Sequence, residues 1–407
     1  MTDVARRVLY RDAALADGRS DRLRHGVSVL VEDDRISWIR PIEAEEAIVD
    51  ASSVEVVDAG GSTLVPGMVD GHSHLTLPGG SHWIDRIEDS PAVAQATAAR
   101  NAELLTSAGV RWARDVGAAT DVDPVDGQRR ALSLGVRDRA RGRAGWPHIR
   151  AAGTWIGAPG SLGAGGIEVA DAKELIAAGL SQLDEGADLI KLYLDGSDPA
   201  TCPWSADEIA GVVDAVHARG ARVTAHSGRL DGARNGVAGG VDAIEHGFEL
   251  DEDVAVEMAR RGTFLVSTLA VLRSWGTFGA TTTIPRFTSE DGRAAIAARR
   301  EKAEASVRIA HRAGVPIATG TDFGGGSLRA NQLAWEVEAL VGAGLEPWEA
   351  LGAATWRGGE LLGEPDAGVV REGGPADFLL VHGDPLSEPA ALWRVWRVSW
   401  APGPVAV

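Results

Sequence analysis

Cysteine is almost missing from this chain of 407 residues. Cys202 stands alone, so no intramolecular disulfide and no cysteine-rich zinc site can form. That scarcity suits a reducing compartment, and the cytoplasm is the expected location. Long apolar runs are absent too. No stretch reaches the roughly 18 residues a membrane-spanning helix needs, and residues 1–12 carry Asp3, Arg6, Arg7 and Arg11 rather than a signal-peptide core. Positive charge is in deficit, with 40 Lys and Arg against 58 Asp and Glu for a net charge of −18. A nucleic-acid surface would need clustered cations to neutralise phosphates. The expected partner is therefore a small molecule, with neither nucleic acid nor membrane.

What is present has a clear order. Residues 7–10, 26–31 and 35–39 are short β-branched runs parted by polar turns, and 376–381 and 395–400 repeat that character. Two β-rich ends around a different middle predict one small β-sandwich domain built from residues 1–63 and 358–407. The middle, residues 64–357, alternates apolar strands with amphipathic segments. Strands are expected at 64–69, 110–115, 149–155, 189–194, 222–225, 243–245, 263–268 and 316–319, with helices such as 171–185, 205–219, 251–261 and 291–313 between them. Eight such repeats predict an α/β fold, a TIM-like (β/α)8 barrel, in preference to an open doubly wound sheet. Active sites of such barrels sit over the C-terminal ends of the strands, where the Gly-rich stretches 157–166 and 324–326 fall. Neither stretch has the spacing of a phosphate loop.

The residues able to do chemistry share that placement. Gly71-His72-Ser73-His74 closes the first strand, and on an extended chain residues two apart share a face, so both imidazoles point the same way. Two converging imidazoles make half of a site for zinc or a similar ion. A bare His-x-His recurs by chance; its position at a strand end gives it weight. His226 closes the fifth strand, His246 the sixth and Asp322 the eighth. Lys191 lies inside the apolar run Leu189-Ile190-Lys191-Leu192, where a buried ammonium is costly unless paired or modified. Either its amine is carbamylated and bridges two metals, or it stays an ammonium that snorkels to the mouth or pairs with Glu245 or Asp322.

Taken in strand order, Pro66-Gly67-Met68-Val69-Asp70-Gly71-His72-Ser73-His74, Ile190-Lys191, His226, Glu245-His246-Gly247 and Gly320-Thr321-Asp322 resemble the amidohydrolase superfamily. The ending Gly374-Pro375-Ala376-Asp377-Phe378-Leu379-Leu380-Val381 resembles the strand that returns to that family's small β-sandwich. Within the superfamily the chain is most similar to the imidazolonepropionase-like members, which include prolidase-like dipeptidases, zinc carboxypeptidases and ochratoxin-type amidases. The resemblance implies two divalent metal ions, zinc by default. His72, His74 and Asp322 would hold one ion and His226 and His246 the other, with carbamylated Lys191 bridging them. A hydroxide shared by the metals would be the nucleophile and Asp322 its proton acceptor. The implied reaction is hydrolysis of an amide-type C–N bond in an N-acyl amino acid, a dipeptide-like compound or an aryl amide. A lactonase, esterase or phosphotriesterase on the same site is the rival reading, and a non-catalytic binding protein a more distant one. Single-metal deaminases of the family carry Glu three residues past the fifth-strand His; here that position is Arg229, which speaks against deamination. The family's frequent assembly into dimers or larger oligomers leaves a homo-oligomer open.

Weaker signals surround these. Tyr193, two residues past Lys191, should reach the mouth and could hydrogen-bond a substrate carboxylate or oxyanion; packing explains it equally. Arg229 could hold a carboxylate bidentately or simply face solvent. His82 could enter the pocket but reads better as a surface residue, and His217 and His311 read as surface or packing residues. Related peptidases often carry a histidine in the loop after the third strand, and residues 158–166 contain none, which argues against the usual dipeptide-like substrate. Trp83, Trp155 and Trp275 could wall an apolar pocket, whereas Trp393, Trp396 and Trp400 are expected to pack the β-domain or an interface.

Overall fold

The structure, a computed structural model, describes residues 6–45, 54–161, 165–198 and 200–399. Strands from both ends of the chain assemble one seven-stranded sheet. Arg7–Leu15 pairs antiparallel with Arg24–Glu32, which pairs with Arg35–Pro41, and on its other side Arg7–Leu15 takes parallel partners in Val54–Asp58 and Ser62–Pro66. Phe378–His382 pairs antiparallel with Ser62–Pro66, and Val395–Ser399 completes the edge. One face buries Val8, Tyr10, Val29, Ile36, Leu64 and Phe378 in a core of its own, with Tyr10 edge-on to Phe378 at 4.8 Å.

Eight parallel strands form the middle. They are Met68–Ser73, Val110–Asp115, His148–Ala151, Leu189–Tyr193, Arg222–Ser227, Ala243–His246, Phe264–Ser267 and Ile317–Thr319, taken below as the first to the eighth. The first three pair in order, and the fourth to the eighth pair in order. Single parallel bridges add Ala152 to Leu189 and Ser73 to Phe323. Helices connect successive strands, and they start where the sequence supplies caps. Asp171 accepts from the Glu174 amide ahead of Ala172–Asp184, and Ser205 with Glu208 makes a capping box ahead of Ala206–His217. The first and second strands are buried at every position, as expected of parallel strands covered on both faces.

Expected boundaries move at two strands: the third ends at Ala151 rather than at residue 155, and the first is displaced. The apolar run at 64–69 is not a single strand: Ser62–Pro66 belongs to the terminal sheet and Met68–Ser73 is the first strand of the middle. Gly67 parts them, and a Cβ there would meet Arg111 Cγ at 2.5 Å, so the crossing point tolerates no side chain. Arg111 donates to Asp377 at 3.0 Å, and His148 approaches the other carboxylate oxygen at 3.0 Å, joining the second and third strands to the terminal sheet. Trp396 is partly exposed and donates to Ser62 Oγ, while Trp393 reaches Glu338; Trp400 lies outside the described residues. Among the described residues no helix is long and apolar enough to cross a membrane.

Candidate metal centre

Six side chains singled out in the sequence meet in one cavity of about 410 Å³ over the C-terminal strand ends: His72, His74, Lys191, His226, His246 and Asp322. The first and eighth strands are stitched together there. Asp70 accepts from the His72 amide at 3.2 Å, the Thr321 amide at 3.0 Å and the Thr321 hydroxyl at 2.6 Å. The Asp322 amide donates to the His72 carbonyl at 2.8 Å, and the His74 amide to the Phe323 carbonyl at 3.1 Å. As a result Asp322 Oδ1 lies 3.3 Å from His72 Nε2 and 3.5 Å from His74 Nε2. These three residues form a group that could hold a metal ion. His246 and Asp322 both adopt positive φ, 69° and 51°, a strained state for residues other than glycine that concentrates at functional sites.

Each imidazole has one nitrogen engaged and the other left for the cavity. His72 Nδ1 contacts Glu245 Oε2 at 2.5 Å, His74 Nδ1 the Gly117 carbonyl at 2.9 Å, and His246 Nδ1 the Thr268 hydroxyl at 2.8 Å. His226 is tied by the other atom, Nε2, to Asp195 at 3.2 Å. Such contacts fix tautomer and ring orientation, which is how neutral imidazoles are readied as ligands. Three rings crowd together, His72 to His246 at 4.7 Å and His226 to His246 at 4.6 Å between centroids.

Burial and mutual repulsion set the charges. Burial and the neighbouring His226 and His72 push His246 well below the ordinary histidine pKa, and burial lowers His226 as well. Burial opposes ionisation of Asp322 and Glu245, yet in each the nearby cations win and hold the carboxyl well below the usual range: His72 and the hydrogen bonds around it for Asp322, and Arg114, Lys191 and His72 for Glu245. Glu245 is fully buried, accepting from Arg114 at 2.6 Å and from the Thr224 hydroxyl. Lys191 is 3% exposed, and its Nζ has no hydrogen-bond partner among the described residues. Burial lowers its pKa to about 8.

Around these six the outcome for each surrounding residue differs. Tyr193 lines the cavity and stacks on His226, ring centroids 3.9 Å apart. Trp83, Trp155 and Trp275 line it as well. Arg229 does not: it stands at the start of the helix Leu230–Ala238 and pairs with Glu249 at 2.8 Å, because the chain after the fifth strand turns it toward the sixth-strand loop. His82 is exposed beside Asp85, His217 pairs with Asp242, and His311 with Glu349. Four further residues stand close to the centre. The sequence offers Glu245 only as a possible partner of Lys191; in the structure it also engages His72. Asp195 continues the two-residue alternation of Lys191 and Tyr193. Arg286 and Arg299 reach the cavity from the short helix Pro285–Thr288 and the long helix Glu290–Ala313, with no local signal in sequence.

The chain has relatives among known proteins. Residues 63–398 match the model of the family described as Amidohydrolase family. An uncharacterized protein of Mycobacterium tuberculosis is 31% identical over 90% of this chain and 88% of its own length. The imidazolonepropionase of Anaeromyxobacter dehalogenans is 25% identical over 87% of this chain and 84% of its own. Among solved structures, an Xaa-Pro dipeptidase with bound methionine superposes with a TM-score of 0.82 at 24% identity, covering 96% of this chain and 98% of the other. The ochratoxinase of A. niger gives 0.77 at 21% identity, covering 97% and 94%. These neighbours share a TIM-barrel-like α/β fold. The chain belongs to the amidohydrolase family and is a hydrolase acting on carbon–nitrogen bonds.

Proposed function

We propose that this hydrolase cleaves an amide-type C–N bond in a small molecule with two divalent metal ions, zinc by default, held by His72, His74, Lys191, His226, His246 and Asp322. The observation that carries this reading is the orphaned Lys191 Nζ, buried among four imidazoles and a carboxylate with no partner of its own. A permanent ammonium there would be left without hydrogen bonds at a cost of several kcal/mol. An amine with pKa near 8 has instead a neutral fraction at physiological pH. That fraction can add carbon dioxide: nitrogen bonds to carbon, one proton leaves to water, and a carbamate results. His72, His74 and Asp322 would hold one ion, His226 and His246 the other, and the Lys191 carbamate both. The donor set of imidazoles and carboxylates fits zinc, and also manganese, iron, cobalt or nickel.

Bound metal ions lower the pKa of water and polarise a carbonyl. The remaining work falls to side chains. Asp322, ionised and beside both first-strand imidazoles, accepts the proton of the attacking water and returns it to the leaving nitrogen. Burial pushes Tyr193 up to about 12, so it stays protonated and can donate to an oxyanion. Glu245 and Asp195 keep His72 and His226 oriented. The scaffold of this reading is a closed eight-stranded barrel spanning 64–357, with a β-sandwich domain from 1–63 and 358–407. The bridges Ala152–Leu189 and Ser73–Phe323 support closure, and the strand Ser62–Pro66 supports a boundary nearer Gly67.

Metal analysis and parallel panels of N-acyl amino acids, dipeptides, aryl amides, lactones and phosphotriesters test the proposal. Amide cleavage that is lost with chelator and regained with zinc is expected. A protein that turns over only lactones or phosphotriesters would overturn the choice of bond, and one that binds no metal would overturn the mechanism.

A further inference from the structure

The hydrolase reading leaves open what the cavity recognises, and its outer half answers in a different chemistry from its floor. Trp83 and Trp275 stack at 5.6 Å with planes 15° apart. Arg286 lies over both, its guanidinium carbon 4.5 Å from the Trp275 centroid and 5.1 Å from that of Trp83. Arg299 lies over Phe248 at 5.1 Å and Trp275 at 5.9 Å. All five residues line the cavity that contains the candidate metal ligands.

These arginines are unusual for this chain. It carries 18 more acidic than basic residues, and two neighbouring arginines outside the lining of this cavity are paired, Arg229 with Glu249 and Arg114 with Glu245. Arg286 and Arg299 make no ion pair among the described residues, although Arg299 is half-buried. Aromatic faces hold both guanidinium planes in place while their N–H groups remain free. A planar fork of free donors, fixed beside apolar walls and partly withdrawn from water, is suited to bidentate capture of a carboxylate. Arg299 is also within reach of the chemistry. Phe248 lies 5.3 Å from the His246 ring and 5.1 Å from the Arg299 guanidinium carbon, so that carbon is at most about 10 Å from His246. One residue of backbone spans about 3.8 Å and a charge-assisted hydrogen bond about 2.8 Å, about 7 Å together, so a carboxylate one residue from the scissile amide lies within that bound.

We propose that Arg299 and Arg286, set on the Trp83, Trp275 and Phe248 shelf, form an anion subsite, so that the substrates are amides carrying a carboxylate next to an aromatic or apolar group. This rests on the hydrolase reading for the word substrate, but the binding site itself does not depend on turnover. Tyr193 and the metals then address the amide, and the arginines its acid.

The probe is N-benzenesulfonylglycine, which offers the carboxylate and the ring but no cleavable carboxamide, with its neutral glycinamide analogue for comparison. Both are titrated into zinc-loaded protein by calorimetry and tryptophan fluorescence. The acid is expected to bind at least tenfold more tightly than the amide. Arg299→Met should weaken the acid roughly tenfold to hundredfold, Arg286→Met less, and Arg299→Lys should recover part of the loss. None of the three should change metal content, far-ultraviolet circular dichroism or affinity for the neutral analogue. Equal affinity for acid and amide, no binding of either, or acid binding untouched by Arg299→Met would overturn the subsite; the last result would mean that the carboxylate sits on the metal. If the acid binds through Arg299 yet no amide is cleaved, the subsite stands and the hydrolase reading falls. Amide cleavage indifferent to substrate charge does the reverse.

Discussion

The two sides of the candidate metal centre are built differently. On the side of the first and eighth strands, His72, His74 and Asp322 are already in contact, with Asp70 tying their backbones together. On the side of the fourth, fifth and sixth strands, His226 and His246 are each held from outside, by Asp195 and Thr268, while Lys191 Nζ makes no hydrogen bond among the described residues. On the first side three possible ligands already lie near one another; on the second, a buried nitrogen has no hydrogen-bond partner among the described residues. The difference suggests that the first site forms with the fold, whereas the second depends on a chemical change at Lys191.

The comparison breaks most completely at Asp322, to which the proposed mechanism gives both a place in the first site and the proton transfer. Asp322→Ala should lower kcat roughly a thousandfold or more and reduce metal content, measured by steady-state assay and elemental analysis. Lys191→Met comes next and separates the two sides. Metal content should fall from two ions to one, the one retained on His72 and His74, with activity lost. If Lys191→Met keeps two ions, the asymmetry is not one of metal binding.

Glu245→Gln sharpens the picture further. It keeps the shape but weakens the acceptor for His72 and Arg114, and metal affinity should fall by roughly tenfold to hundredfold, read by chelator competition. Asp195→Asn should do the same, more mildly, to the second ion alone.

The ease with which these residues were found follows the reach of their signals. His72, His74, His226, His246 and Asp322 each end an apolar run, and strand alternation is a local property that sequence displays. Lys191 announces itself because a cation in an apolar strand has few explanations. The register between strands is not local, so nothing in sequence tells that Glu245 reaches His72 across 173 positions. Arg229 looked suitable for a carboxylate by proximity to His226, but the helix it precedes turns it to Glu249. Arg286 and Arg299 reach the cavity only through the packing of two helices. The first strand was placed early because Ser62–Pro66 and Met68–Ser73 form one apolar run that Gly67 divides in space.

A residue whose loss should leave metal binding alone lies between the two sides. Glu336 accepts from Ser267 at the end of the seventh strand and from the Ala270 amide, both at 2.6 Å. Burial raises its carboxyl from 4.5 to about 7 despite those bonds. A raised pKa in the folded state means that the protonated form favours folding. Its contribution is therefore complete below pH 4.5 and lost as pH rises through about 7. Relative to Glu336→Gln, the parent should lose about 3 kcal/mol of stability across that interval, measured by urea unfolding. Metal affinity should be nearly unchanged, because neither side of the centre touches Glu336.

The most direct test of the central claim is the metal content per chain together with intact mass under native and acidified conditions. Two ions and a carbon-dioxide increment that acid removes, absent from Lys191→Met, are the predicted result. One ion on an unmodified Lys191 would contradict the account and leave the second side of the site without a metal.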